Sequence, residues 1–310
     1  MTPATGVVAE KVAAGAPPAR VVEPTTPRVR WFRRLLRNRN VVIGASIFVV
    51  FLLAAIFAGY ISTHVPTRLD PPQRLRPPSL THLLGTDEFG RDVYSLVVYG
   101  SRVSLLVGGV TMFLTSFGGT LIGLIAGYYR RLDLIVMRFM DGLMAFPAII
   151  LAIAFMAARG PGVWNVIVAL SLVYMPRTAL LVRSTVLSLR ELDYVAAARA
   201  LGRRDFAVAG RHILPNCLAP LLVQGTFIFA YAVLAEAILG FLGVGVPPYV
   251  PSWGNVIASG KNVIREAFWV SLFPGITLTL AGLSLNLLGD GLRDTLDPRL
   301  RGSVGTGTGR

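Results

Sequence analysis

Few residues of this chain stand in an arrangement that could make or break a bond. The nearest approach to a phosphate-cradling loop runs from Gly254 to Gly260-Lys261-Asn262. Five residues separate its glycines where a P-loop has four, and Asn262 stands where a hydroxyl would hold magnesium. His64, His82 and His212 share no ligand spacing along the chain, so no metal site is expected. His212 is expected to hydrogen-bond within its own loop. Cys217 is the single cysteine, which excludes an internal disulfide and any CxxC pair. No catalytic residues are expected. Two carboxylates do stand in apolar surroundings. Glu236 lies well inside a long apolar run, and an ionisable group in a bilayer is costly enough to be a candidate for facing a solute pathway. The alternative is pairing with a neighbouring helix or a place near the membrane interface. Asp141, one turn from Arg138, is expected to brace one end of its helix against a basic loop.

The elements that hold these residues are apolar. Of the 310 residues 54% are hydrophobic and 15% charged, with mean hydropathy +0.63, against about a quarter charged in soluble domains. A water-soluble fold is thereby disfavoured. The net charge of +14 does not point to nucleic acid, because the basic residues cluster beside apolar runs instead of lining one polar face. Lipid headgroups and membrane topology account for them. Residues 1–40 read as a disordered basic tail, ending in Arg28, Arg30, Arg33, Arg34, Arg37 and Arg39. The apolar segment that follows from Val41 starts too late for a cleavable signal and is expected to stay as an anchor.

A hydrocarbon core about 30 Å thick needs roughly 20 apolar residues of helix. Six stretches qualify: Val41–Tyr60, Val103–Tyr129, Leu134–Ala158, Val163–Leu181, Leu218–Leu242 and Phe268–Leu288. Gly118, Gly119, Gly123 and Gly127 would let helices approach closely. Pro147, Pro220 and Pro274 predict kinks. With both termini cytoplasmic, 22 of the 30 basic residues fall inside and 8 outside, as positive residues prefer. The reading is an all-α polytopic protein of about six transmembrane helices in the inner (cytoplasmic) membrane. It divides into a tail (1–40), a first helix with its external loop (41–102), a core of five helices (103–290) holding a long cytoplasmic loop (182–216), and a cytoplasmic C-terminal tail (291–310).

That loop contains a short helix outside the bilayer. Leu192, Asp193, Tyr194, Val195, Ala196, Ala197, Ala198, Arg199, Ala200 and Leu201 are mostly good helix formers with acid at the start, and Gly202 supplies a stop. Read alone, it fits either insertion into a groove on another protein or an amphipathic helix held on lipid. Ala196 to Ala198, then Gly202, then Leu214-Pro215 resemble the EAA loop of ATP-binding-cassette import permeases. Ala196 stands where that motif usually has Glu. Further segments resemble the dipeptide and oligopeptide branch, in particular its second permease subunit. These are Leu84-Gly85-Thr86-Asp87-Glu88-Phe89-Gly90-Arg91-Asp92, Arg211 to Asn216, Phe241 to Gly245, Pro251-Ser252-Trp253-Gly254-Asn255 and Gly289 to Asp294.

The resemblance implies a type I importer permease fold and a permease subunit for short peptides. It implies a homologous second permease, two cytoplasmic ATPase subunits that bind ATP and Mg, and an extracytoplasmic substrate-binding protein. The helix of the EAA loop would be the coupling helix that docks on the ATPase. Gly85, Thr86, Asp87, Gly90, Arg91, Asp92, Pro251, Ser252, Trp253, Gly254 and Asn255 would form the external gate or the binding protein's docking surface. Alternatives are the same architecture carrying a nickel complex, glutathione, haem or an oligosaccharide, or a secondary carrier, which would normally show more intramembrane charge and broken repeats.

Overall fold

The computed structural model describes residues 35–296, and the tail and the last residues of the sequence lie outside them. Among the described residues the regular structure is helical apart from one isolated antiparallel bridge between Thr86 and Asp92. The apolar stretches become α1 (Arg39–Ile56), continued by the single turn α2 (Ala58–Ile61), then α3 (Val93–Tyr128), α6 (Val163–Leu189), α9 (Leu214–Phe241) and α11 (Trp269–Leu296). Between them lie α4 (Arg130–Met144), α5 (Ala148–Arg159), α7 (Asp193–Ala200), α8 (Asp205–Val208) and α10 (Trp253–Ser259). Side-chain caps fix three starts. Asn38 accepts from the Asn40 amide at 2.9 Å, Asp92 from Ser95 at 2.8 Å and Ser252 from Asn255 at 3.3 Å. The helix α3 begins ten residues before its apolar stretch, because Asp92 caps it there.

Helix directions follow from which residues touch. Gly119 lies against Thr178, Gly123 against Ala179 and Val182, and Gly127 against Val186, so numbering rises together and α3 and α6 run parallel. A Cβ at any of the three would come within 2.7 Å of its neighbour. The glycine stripe therefore does set a close helix approach. By the same test α1 is antiparallel to α11, with Gly44 on Ser284 and Gly291 on Val41. Likewise α3 is antiparallel to α9, with Gly108 on Phe229 and Val233 and Gly225 on Met112.

Parallel α3 and α6 require the chain to return the length of the bundle between them, and α4 with α5 is what returns. The expected span Leu134–Ala158 is present as two helices, and the kink expected at Pro147 is a full break. The pair is bent by 91° at Ala145-Phe146-Pro147. Pro147 has no amide hydrogen and excludes the α conformation from the residue before it, which ends α4. Twelve residues of α5 reach only about 18 Å, short of the core thickness. The rest is covered by α4, an amphipathic helix that seats Met137 and Met140 on Ala126 and Ala179. Five helices are long and apolar enough to cross alone, and the bent pair makes the sixth passage. By contrast α9 and α11 run unbroken through Pro220 and Pro274, as does α6 through Pro176.

Six passages leave residues 38 and 291 at one end of the bundle, where Asn38 Nδ2 donates to the Gly291 carbonyl at 3.3 Å. This end also carries α7. The opposite end, the cap end, carries the segment before α3 and the short helix α10.

Candidate functional site

The α7 end is built on a small apolar base. Val182 and Val186 of α6, Val208 of α8, Ile213 and Cys217 form a buried cluster, and α7 adds Val195 and Ala198 to it. Those two residues are three apart and share one face. The other face of α7 is open: Ala196, Ala197 and Ala200 are exposed, as are Leu192, Tyr194 and, beyond the helix, Leu201 and Phe206. Gly202 ends the element with φ +76°, a conformation that disfavours any residue with a Cβ. Polar contacts fix its angle. The Tyr128 hydroxyl donates to Asp205 at 2.6 Å, and the Arg199 guanidinium lies 5.0 Å over the Tyr128 ring. Arg190 donates to the Gly127 carbonyl at 3.0 Å, and Arg183 of α6 forms a bidentate ion pair with Asp133 of α4. Asp133, not Asp141, is thus the brace between a span and this end; Asp141 is exposed and makes no ion pair among the described residues. Leu214-Pro215 opens α9 just after a π-helical turn, Ala209–Ile213, with Pro215 exposed in the first turn, where a missing amide hydrogen costs least.

The cap end corrects an expectation. Thr86, Asp87, Ser252 and Trp253 are 0% exposed and Asp92 2%, so none of them presents a side chain for a partner to touch. Gly85, Gly90 and Gly254 are buried too, and only Arg91, Pro251 and Asn255 of the proposed set reach partial exposure. These residues build a scaffold. Asp87 accepts from the amides of Phe89 and Arg91 and from Arg91 Nε at 2.6 Å, closing a tight loop. Gly90, with φ +74°, lies so close to Asp70 that a Cβ would fall 1.8 Å from its carbonyl oxygen. Trp269 Nε1 donates to the Thr86 carbonyl at 3.2 Å, and Trp253 Nε1 to the Val97 carbonyl at 3.0 Å. Asn255 donates to three carbonyls of the segment 246–250, pinning it over α10.

Glu236 is enclosed by the same scaffold. It is 0% exposed, and its Oε2 accepts from Ser104 Oγ at 2.8 Å, while Ser104 Oγ accepts from the Trp253 amide at 3.2 Å. Oε1 has no partner among the described residues. A chain of hydrogen bonds thus ties α10 to α3 and α9. Glu236 offers no surface to a pathway outside this chain, and the neighbouring-helix alternative is the one observed.

Residues 119–302, from the middle of α3 through α11, match the family model described as binding-protein-dependent transport system inner membrane component. Residues 26–78 match the N-terminal TM domain of oligopeptide transport permease C. The chain belongs to this family of transport permeases. A putative peptide transport system permease protein of Brucella abortus is 51% identical over 276 residues, which cover 89% of this chain and 93% of the relative. The dipeptide transport system permease protein DppC of Alkalihalophilus pseudofirmus is 42% identical, covering 92% and 94%. The glutathione transport system permease protein GsiD of Pectobacterium atrosepticum is 39% identical, covering 89% and 92%.

One grouping in this permease escapes the sequence. His64, just after α2, and His82 stack with ring centroids 4.7 Å apart, and both turn Nδ1 toward Asp92. Their separation along the chain matches no ligand motif, and only the fold of the segment before α3 brings them together. His212 stays at the α7 end, where its carbonyl oxygen accepts from Asn216 Nδ2 at 2.8 Å and its ring lies beside that of Tyr194.

Proposed function

We propose that this permease is the translocation subunit of an ATP-driven importer of short peptides. It forms the pathway with a homologous second permease and is driven by two ATPase subunits, which hold ATP and Mg²⁺, at the α7 end. A substrate-binding protein approaches the cap end, and both termini are cytoplasmic. The observation that carries this reading is α7: an eight-residue helix beyond the apolar spans, seated by Val195 and Ala198 and presenting Ala196, Ala197 and Ala200 outward. Small side chains let a second protein's surface approach the backbone closely, and the rim of Leu192, Tyr194, Leu201 and Phe206 adds apolar area to bury. Arg199, Arg203, Arg204 and Arg211 surround it, in keeping with a cytoplasmic side.

The base under α7 supports the proposed mechanism. Val195 and Ala198 share one cluster with α6 and α9, so displacement of α7 moves both spans instead of only a loop. Nucleotide-driven closure of the ATPases would pull α7 and rearrange the bundle between inward-open and outward-open states. With Ala196 in place of an acid, the contact relies on packing, with no carboxylate at that position. The relatives named for peptide and dipeptide transport support peptides as the solute class. The relative named for glutathione transport favours a second reading, a small peptide-like thiol carried by the same architecture.

Affinity purification of the chain from its own membranes in mild detergent tests the assembly. A second permease and ATPase subunits should co-purify, with ATP hydrolysis stimulated by a peptide-loaded binding protein. A chain recovered alone, and inactive with those partners added, would overturn the importer reading.

A further inference from the structure

The segment before α3 gathers two imidazoles and a carboxylate around one point on the cap end. His82 Nδ1 lies 3.0 Å from Asp92 Oδ1, and His64 Nδ1 lies 3.9 Å from Asp92 Oδ2. All three ligand atoms fall within 4.8 Å of one another. A tetrahedral zinc ion with bonds of about 2.0–2.1 Å sets its ligands about 3.4 Å apart; His82 and Oδ1, at 3.0 Å, are near that spacing, and the exposed His64, now 3.9 Å from Oδ2, would swing toward Oδ1 on binding. The group lines a cavity of about 420 Å³, open to solvent, which can supply a water as fourth ligand. We propose that His64, His82 and Asp92 form a binding site for a divalent transition-metal ion of zinc type, through the two Nδ1 atoms and Asp92 Oδ1.

The charge arrangement supports a cation. The Asp92 side chain is 1% exposed, yet among the described residues its only charge partners are these two histidines. Its Oδ2 is taken by the Ser95 amide at 2.8 Å, Ser95 Oγ at 2.7 Å and Thr63 Oγ1 at 3.3 Å. These bonds fix the carboxylate plane and leave Oδ1 to the metal, as outer partners of metal ligands do. Binding would replace the His82–Asp92 hydrogen bond and the 3.0 Å contact of His64 Nδ1 with Thr63 Oγ1, both imidazoles coordinating in the neutral form. Two features oppose a cation: the N-terminus of α3, and Arg68 and Arg76, which line the same cavity. The arginines are exposed, so solvent and salt screen them, whereas the ligands are in direct contact with the ion. Imidazole and carboxylate together favour zinc over magnesium or calcium. A bound ion would staple the segment after α1 to the start of α3.

The test uses the untagged full-length chain in lipid nanodiscs, titrated with Zn²⁺ against a chromophoric chelator, and with Co²⁺ for the absorption of a tetrahedral site. Expected is one ion per chain, with affinity at least tenfold lower in His64→Ala and in Asp92→Asn. His64 is 41% exposed at its side chain, so its loss leaves the fold intact, and Asn at position 92 can still cap α3. His212→Ala, at the other end, should bind as the parent does. Zn²⁺ should also raise the unfolding temperature of the parent but not of His64→Ala. No saturable binding by the parent, or binding unchanged in His64→Ala or Asp92→Asn, would overturn the proposal. Peptide import plays no part in these readouts, so they stand or fall apart from the transport reading.

Discussion

At the scale of single residues, Glu236 raises the sharpest question, because a fully buried carboxyl in an apolar helix has to be there for packing or for transport. Its oxygen receives the Ser104 hydroxyl, which in turn receives the Trp253 amide, and no basic side chain is paired with it. Glu236→Gln keeps an acceptor for Ser104, so folding and import should both persist, with the unfolding temperature within a few degrees of the parent. Glu236→Ala strands the Ser104 hydroxyl and should cost about 1–3 kcal/mol, read as a lower unfolding temperature in detergent. If Glu236→Gln kept its stability but lost import, the carboxyl would belong to the transport cycle after all. Trp253→Ala removes a fully buried ring and one hydrogen bond to Val97. It should destabilise by about 3–5 kcal/mol and lower the yield of folded chain, and any loss of response to a binding protein should track that yield. The prominence of Trp253, Thr86 and Asp92 was legible as pattern; their burial was not, since a Gly- and Pro-rich loop reads as surface until its hydrogen-bond partners 100 residues or more away are known, as Val97 is for Trp253.

At the scale of elements, the contact between α3 and α6 depends on a missing Cβ. The atom that Gly123→Leu adds would meet the Ala179 carbonyl at 2.6 Å, and that neighbour is backbone and cannot turn aside. The variant should force the helices apart at a cost of about 1–3 kcal/mol or more, measurable as earlier unfolding in a denaturant series. Gly142→Leu, whose Cβ would meet nothing within 4 Å, is the matched control. The helix α7 predicts the reverse outcome. Ala197→Trp lies on its open face and touches no core residue, so unfolding should be unchanged, while ATP-driven import should fall at least tenfold if a partner packs there. Unchanged import would remove the open face from the coupling surface. The glycine stripe and the extra-bilayer helix were both legible, because close packing and a charge-flanked alanine run leave local signatures. A kink at Pro147 was legible too; that it amounts to a 91° break was not, because apolarity counted over Leu134–Ala158 measures how much of a stretch avoids water and says nothing of its direction.

At the scale of the whole molecule, the parallel course of α3 and α6 gives a second, independent reason for the six crossings counted as apolar stretches. It requires a return passage, sets six crossings, and so places the α7 end and the cap end on opposite sides of the membrane. Which side faces the cytoplasm rests on charge: five arginines fall within the 24 residues 190–213 around α7, against six basic residues in the 59 residues of the cap-end segments 61–92 and 242–268. Labelling tests this directly. In a Cys217→Ser background, Leu80→Cys sits at a position 99% exposed at the cap end, and Arg131→Cys at an exposed position at the α7 end, away from α7 itself. A membrane-impermeant maleimide added to intact spheroplasts should modify the cysteine at position 80 and spare that at 131 until the membrane is opened. The opposite pattern would invert the molecule and put α7 beyond the reach of any cytoplasmic ATPase. Labelling of both positions in sealed spheroplasts would mean that α3, the span that separates them, does not cross the membrane. The parallel packing of Gly119, Gly123 and Gly127 against α6 would then have to be formed some other way, and the six-crossing architecture would fall with it.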